Sequence, residues 1–240
     1  YRGSILGWLW SIVNPLLLLT VYSIVFQLVF QRKEPATEPY SLFLFTGLLP
    51  WSWMAGGVLD ATTSLTGNGN LMRKVLFPAE ILPLTSVASQ LVHFLLALPV
   101  LGLGVAVAAI FFGHPAPATI ALLPVAIILE LVFIAGIALV VAPLAVHFRD
   151  LRDLLTNVLN LGFFVTPILY RLDSVPVPLL RRVLAWNPMA PFVLTFQDLV
   201  FRGKVPGPDR WGAMAALALA SWSLGVLTFE RLRDGLVEEV

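Results

Sequence analysis

Cysteine is absent from this chain and charge is scarce. The first absence excludes disulfides, thiolate metal sites and a cysteine nucleophile. Charged residues make up 12% of the 240 positions, about half the share of a soluble domain. HExxH, GxSxG, paired-acid metal patterns and a GxxxxGK[ST] phosphate loop are missing too, and there are only three histidines, at 93, 114 and 147. No catalytic or metal site is expected, and energy from a nucleotide would have to come from another chain. A formal net charge of +1 gives no argument for nucleic acid as a partner. The chain opens at Tyr1 rather than methionine, so a signal peptide or leader cannot be judged.

What is present is apolar surface. Hydrophobic residues reach 58% and the mean hydropathy is +0.89, which places the chain in a bilayer. A helix needs about 20 apolar residues to cross the hydrocarbon core. Six stretches qualify, at about 8–30, 41–65, 84–112, 119–146, 154–169 and 211–229. An all-α integral membrane protein with six transmembrane helices is therefore expected, with both termini on one side. Lys and Arg counts do not orient it. The terminal side carries Arg2, Arg73, Lys74, Arg149, Arg152, Arg231 and Arg233, and the other carries Arg32, Lys33, Arg171, Arg181, Arg182, Arg202, Lys204 and Arg210.

Two links stand out. Residues 68–83 are too polar to cross, yet Leu71, Met72, Val75 and Leu76 share one side of a short helix with Arg73 and Lys74 opposite. Pro78 ends that helix and Glu80 opens a second turn at an angle. A bent, charged knuckle suits docking to a soluble partner; a solvated loop is the simpler reading. In the second link Pro178 opens an amphipathic helix that Asn187-Pro188 breaks, and the run from Met189 to Phe201 rises only about 20 Å. Residues 176–201 read as a re-entrant or surface-lying hairpin before the last span, with Trp186, Asn187 and Pro188 at its break.

Within the spans, His93 and Glu130 fall at nearly equal depth from opposite faces, and a hydrogen bond between them is expected to satisfy both. Asp60 is expected to reach the interface, and Asp153 to cap span five. Tyr22, Phe26 and Phe30 repeat along one face of span one, while Trp51 and Trp53 stand near mid-bilayer, away from the interfacial belts. Such aromatic surfaces suit sliding contact with sugar rings, or simply pack against helices and lipid.

Six pieces carry a resemblance: YRGSILGWLWSIVNPLL opening span one, PYSLFLFTGLLPWSW in span two, the NLMRKVLFPAEILPL knuckle, HFRDLRDLL before span five, TPILY with VLAWNPMAPFV, and the terminal FERLRDGLVEEV. In this order they resemble the membrane subunit of ABC-2-type exporters of bacterial cell-surface glycans, the O-antigen and teichoic acid permeases. The resemblance covers nearly the whole chain and implies one transmembrane domain over 1–240 in the bacterial inner membrane, both termini cytoplasmic. It makes 68–83 a cytoplasmic coupling helix, with Asn70, Arg73, Lys74 and Glu80 against an ATPase, and 176–201 an extracytoplasmic gate hairpin. It implies a second copy of the chain, two nucleotide-binding ATPase subunits that hold ATP and Mg, and no cofactor here. The cargo would be polysaccharide on undecaprenyl diphosphate, passing Tyr22, Phe26, Phe30, Trp51 and Trp53, its diphosphate presented near Arg2, Arg73 and Lys74. The family's N-terminal interface helix would lie upstream of Tyr1.

Two rivals remain. One is an ABC-2 permease for a small amphiphile, a drug or a lipid. The other is a membrane-embedded enzyme of envelope synthesis, for which His147, Arg149, Asp150, Arg152 and Asp153 form the only polar cluster, more suited to a helix junction.

Overall fold

The structure, a computed structural model, describes residues 39–68, 78–114, 116–148 and 150–239, with 13, 16, 17, 20, 21, 24 and 25 before them. Every regular element among the described residues is helical. We number them α1 (Tyr40–Ser64), α2 (Ile81–Phe111), α3 (Leu123–His147), α4 (Leu151–Val165), α5 (Pro178–Ala185), α6 (Ala190–Phe196) and α7 (Pro208–Glu239). A π-helical turn, Gln197–Arg202, prolongs α6, and 3-10 turns lie at Thr66–Asn68, Ala118–Leu122 and Leu172–Ser174.

Four helical stretches are long and apolar enough to cross a bilayer: Tyr40–Ser64, Ile81–Phe111, Ala118–His147 and Pro208–Arg233. They coincide with the second, third, fourth and sixth expected spans. The first expected span lies outside the described residues apart from seven scattered positions, all helical. The fifth is corrected. Helix α4 has 15 residues, about 22 Å of rise against a core of about 30 Å, and it ends at Val165 rather than 169. Pro167 explains the early end, because it has no N–H to donate and biases Thr166 away from helical geometry. Asp153 is likewise corrected: it lies in the first turn of a helix that starts at Leu151, favourable to the helix dipole but not its cap.

The chain divides into two compact units. Unit 1 takes Tyr1–Trp51, Val92–Pro124 and Thr166–Gly207; unit 2 takes Ser52–Leu91, Val125–Val165 and Pro208–Val240. In unit 1 the core is aromatic. Phe43 meets Phe201 edge-on at 5.4 Å between ring centres, Phe94 meets Phe196 at 5.9 Å, and every residue from Phe192 to Phe201 is buried. The Thr119 hydroxyl donates to the Leu199 carbonyl at 2.6 Å, satisfying a group that the π-helical turn leaves over.

Unit 2 is built on small residues. A Cβ added at Gly136 of α3 would lie 2.3 Å from the Ser221 carbonyl carbon of α7, and one at Gly225 would lie 2.4 Å from the Gly136 carbonyl oxygen. The two backbones approach as closely as atoms allow, the packing that small residues permit between helices in a bilayer. Beside this crossing, Leu65, Ala79, Leu82, Leu139, Ala142 and Phe229 form one apolar cluster, with Leu84, Val146 and Val226 against it.

Candidate functional site

The hairpin in unit 1 begins with backbone that no helix satisfies. Residues 166–170 are turns and bends directly after α4. In a membrane protein such backbone must find partners inside the protein. Gln197 Nε2 donates to the Pro167 carbonyl at 3.0 Å and the Tyr40 hydroxyl donates to the Leu169 carbonyl at 3.1 Å. Asn187 Nδ2 donates to Thr166 Oγ1 at 2.7 Å, while Asn187 Oδ1 accepts from the Met189 N–H at 2.9 Å. Gln197 reaches the loop because residue 47 has no side chain: a Cβ there would stand 3.0 Å from Gln197 Nε2.

The hairpin's two arms differ. Pro178 does open α5, which packs only Leu184 inward and leaves Leu179, Leu180 and Val183 exposed. The second arm, α6 with its π-helical turn, is core, so the surface-lying version of the expectation does not hold for it. At the break Trp186 is 88% exposed, Pro188 is exposed and Asn187 is half-buried. Arg181 folds back from α5 and donates to the carbonyls of Val175 at 2.8 Å and Asp173 at 3.2 Å. The Asp173 carboxylate pairs with Arg171, which holds its pKa below the usual value.

The knuckle is described only at its two ends. Asn70, Arg73 and Lys74 lie outside the described residues, as do Arg2, Tyr22, Phe26 and Phe30. Leu65, just before the knuckle, and Ala79 and Leu82, at its C-terminal end, enter the same apolar cluster of unit 2. The expected turn after Pro78 is present: Ile81 N–H bonds the Pro78 carbonyl and α2 starts there. Glu80 is half-buried in that turn, with Oε2 fully enclosed.

Other sequence-derived residues are placed as follows. Trp51 and Trp53, expected along a path, are buried at 7% and 2% exposure, so in this conformation they are core side chains. Glu130, in unit 2, is fully buried and neither of its carboxylate oxygens has a hydrogen-bond partner; His93, expected to pair with it, belongs to unit 1. Asp60 is half-buried, and its Oδ2 accepts from Gln90 Nε2 at 2.6 Å. His147 closes α3 with Nδ1 3.0 Å from the Pro143 carbonyl, in keeping with a helix junction. No group of three His, Cys, Asp or Glu side chains among the described residues is arranged to hold a metal.

One feature escaped the sequence reading. On α4, Asp153, Asn157, Asn160 and Phe164 follow the helical repeat and all are exposed. Two amides in mid-helix are poor company for lipid tails and suit a wet surface or a protein contact. The signal was polar residues at i and i+3 within an apolar run.

A sequence model of the ABC-2 type transporter family matches residues 1–201. The chain is 33% identical over 242 residues to the O-antigen export system permease protein RfbA of Myxococcus xanthus, covering all of this chain and 90% of that one. It is 33% and 32% identical to two proteins of the same name from Klebsiella pneumoniae, covering 85% of this chain and 76% of each. With apolar helices long enough to cross a membrane several times, a polar-pinned hairpin and a family match over most of its length, the chain belongs to the ABC-2 type transporter family as a multi-pass membrane subunit and not an enzyme.

Proposed function

We propose that this chain is the permease subunit of an ATP-driven exporter that moves polysaccharide carried on undecaprenyl diphosphate across the bacterial inner membrane. Three relatives named for O-antigen export support the glycan reading, and the small-amphiphile alternative is not favoured. In this reading two copies of the chain enclose one channel, and two separate ATPase subunits bind ATP and Mg and drive it. Both termini and the 68–83 knuckle face the cytoplasm, with Asn70, Arg73, Lys74 and Glu80 against the ATPase and the diphosphate presented near Arg2, Arg73 and Lys74. The 176–201 hairpin, with Trp186, Asn187 and Pro188 at its tip, is the re-entrant gate on the far side.

The observation that carries the mechanism is the fastening of the knuckle. Both of its ends are anchored in one apolar cluster with α3 and α7, so a push on the knuckle is received by packed helices rather than absorbed in a loose loop. The exposed α4 face with Asn157 and Asn160 is a separate surface suited to sugar; for the path we favour Tyr22, Phe26 and Phe30 of the first span, on their sequence repeat. The buried Trp51 and Trp53 enter it only if the bundle rearranges. A polymer must pass in many registers, and weak amide and aromatic contacts hold it without trapping it.

The test replaces Arg73, Lys74 and Glu80 together by alanine and measures surface glycan alongside co-purification of the ATPase. Lost export with the permease still in the membrane is the expected result. Unchanged export with normal ATPase binding would sink the coupling assignment.

A further inference from the structure

Unit 1 contains a cavity of about 520 Å³ that neither the pinned loop nor the gate accounts for. Its walls are His114, Pro117, Arg171, Phe201, Arg202, Gly203 and Lys204. That volume lies inside the range of about 300–1,000 Å³ typical of small-molecule sites. Unlike most of those, its rim is cationic. We infer that this cavity binds a phosphate or diphosphate group.

The charges come first. Arg171, Arg202 and Lys204 supply three cations, and the nearby carboxylates among the described residues are Asp173, paired with Arg171, and Asp198, paired with Arg202 at 2.8 Å. Three cations against two carboxylates leave an excess of one positive charge, and neither carboxylate belongs to the cavity wall. Asp198 holds Arg202 through Nη1 only; Nη2 is enclosed with no hydrogen-bond partner, an unused donor on a partly buried cation. Leaving such a donor unsatisfied is costly, and an anion would relieve the cost.

Shape comes next. Gly203 closes the π-helical turn at φ 63°, a left-handed conformation that other residues resist, and Lys204 N–H bonds back to the Asp198 carbonyl at 2.9 Å. That turn sets Arg202 and Lys204 on one wall, and a Cβ on Gly203 would stand only 3.2 Å from Pro117. His114 stacks on Phe201 at 4.8 Å and 29°, a flat wall with a ring nitrogen to offer. A planar guanidinium fork beside an ammonium point charge matches tetrahedral phosphate oxygens better than it matches a halide.

Position suggests the use. His114 follows the C-terminal end of α2, whereas Arg73 and Lys74 precede its N-terminal end, so a 31-residue helix separates the two basic groups in the chain. Resting on the export reading above, the cavity is a station for the cargo's diphosphate after it has crossed. A phospholipid headgroup offers the same chemistry.

The test uses the full permease in discs of phosphatidylcholine, with radiolabelled inorganic pyrophosphate in equilibrium dialysis at constant ionic strength. Saturable binding is expected, weakened at least about tenfold by Arg171→Gln with Lys204→Gln and left unchanged by Arg182→Gln on exposed α5. If the double variant does not fold, the wild type decides the matter: pyrophosphate should protect Lys204 from an amine reagent, while chloride should not. Binding untouched by the double variant, or no protection, overturns the site. Phosphatidylglycerol that displaces pyrophosphate identifies a headgroup as the natural occupant; pyrophosphate that persists identifies the cargo diphosphate, and either supports the phosphate site. No ATPase or glycan is needed, so a failure here leaves the export reading intact, and failed export leaves a measured site standing.

Discussion

The two units reach order by different means. Unit 1 fastens irregular backbone with side chains: Tyr40, Asn187 and Gln197 each bond the 166–170 loop, and Thr119 bonds the π-helical turn. Unit 2 relies on close approach, with Gly136 and Gly225 bringing two backbones together beside an aliphatic cluster. Hydrogen bonds are directional and exchangeable, whereas packed backbones tolerate little displacement. On the export reading proposed above, the contrast suits a hairpin that is released and a body that carries force.

The largest effect should follow from Gly136→Leu, since a Cβ there already meets the backbone of Ser221 and Trp222 at 2.3 and 2.4 Å. No rotamer relieves a backbone clash, and a cost of about 3 kcal/mol or more is expected, seen as loss of monodisperse protein in detergent. A variant as stable as wild type would end the claim that unit 2 is specified by close approach.

An intermediate effect is expected in unit 1. Gln197→Leu strips the Pro167 carbonyl of its donor, and Asn187→Ala frees Thr166 and the Met189 N–H; each should cost about 1–3 kcal/mol. The loss should be local, so amide exchange ought to quicken across 166–190 and remain slow in α3 and α7. Uniform acceleration would show that the loop bonds are not a separate fastening.

The smallest effect concerns Glu130, the buried acid of α3 whose carboxylate oxygens have no hydrogen-bond partner. With no bond to lose, neither Glu130→Gln nor Glu130→Leu should destabilise the protein by more than about 1 kcal/mol in thermal unfolding, and the leucine, which removes an unsatisfied buried acid, should raise stability. A large penalty for the leucine would mean that unit 2 also depends on a polar contact, which would blur the comparison.

Composition and apolar periodicity alone determined that the chain is a helical membrane protein, and they located four of its long helices, although α7 runs on to Glu239, ten residues beyond the expected end. Hydrophobic run length is a one-dimensional quantity, and the bilayer reads it directly. The turn after Pro78, the helix start at Pro178 and the break at Asn187-Pro188 were legible for the same reason, being local backbone chemistry. Rotation and pairing were not legible. Nothing in its own segment gave Asp60 a partner, yet it accepts a hydrogen bond from Gln90, thirty residues away. Met189 to Phe201 read as a surface or dipping arm, and only its packing against Phe43, Phe94 and Thr119 made it core. The cationic cavity draws on residues as far apart as His114 and Lys204, each unremarkable in its own segment. Local chemistry sets where helices run and stop; which faces meet depends on side chains distant in sequence, and that only the tertiary structure decided.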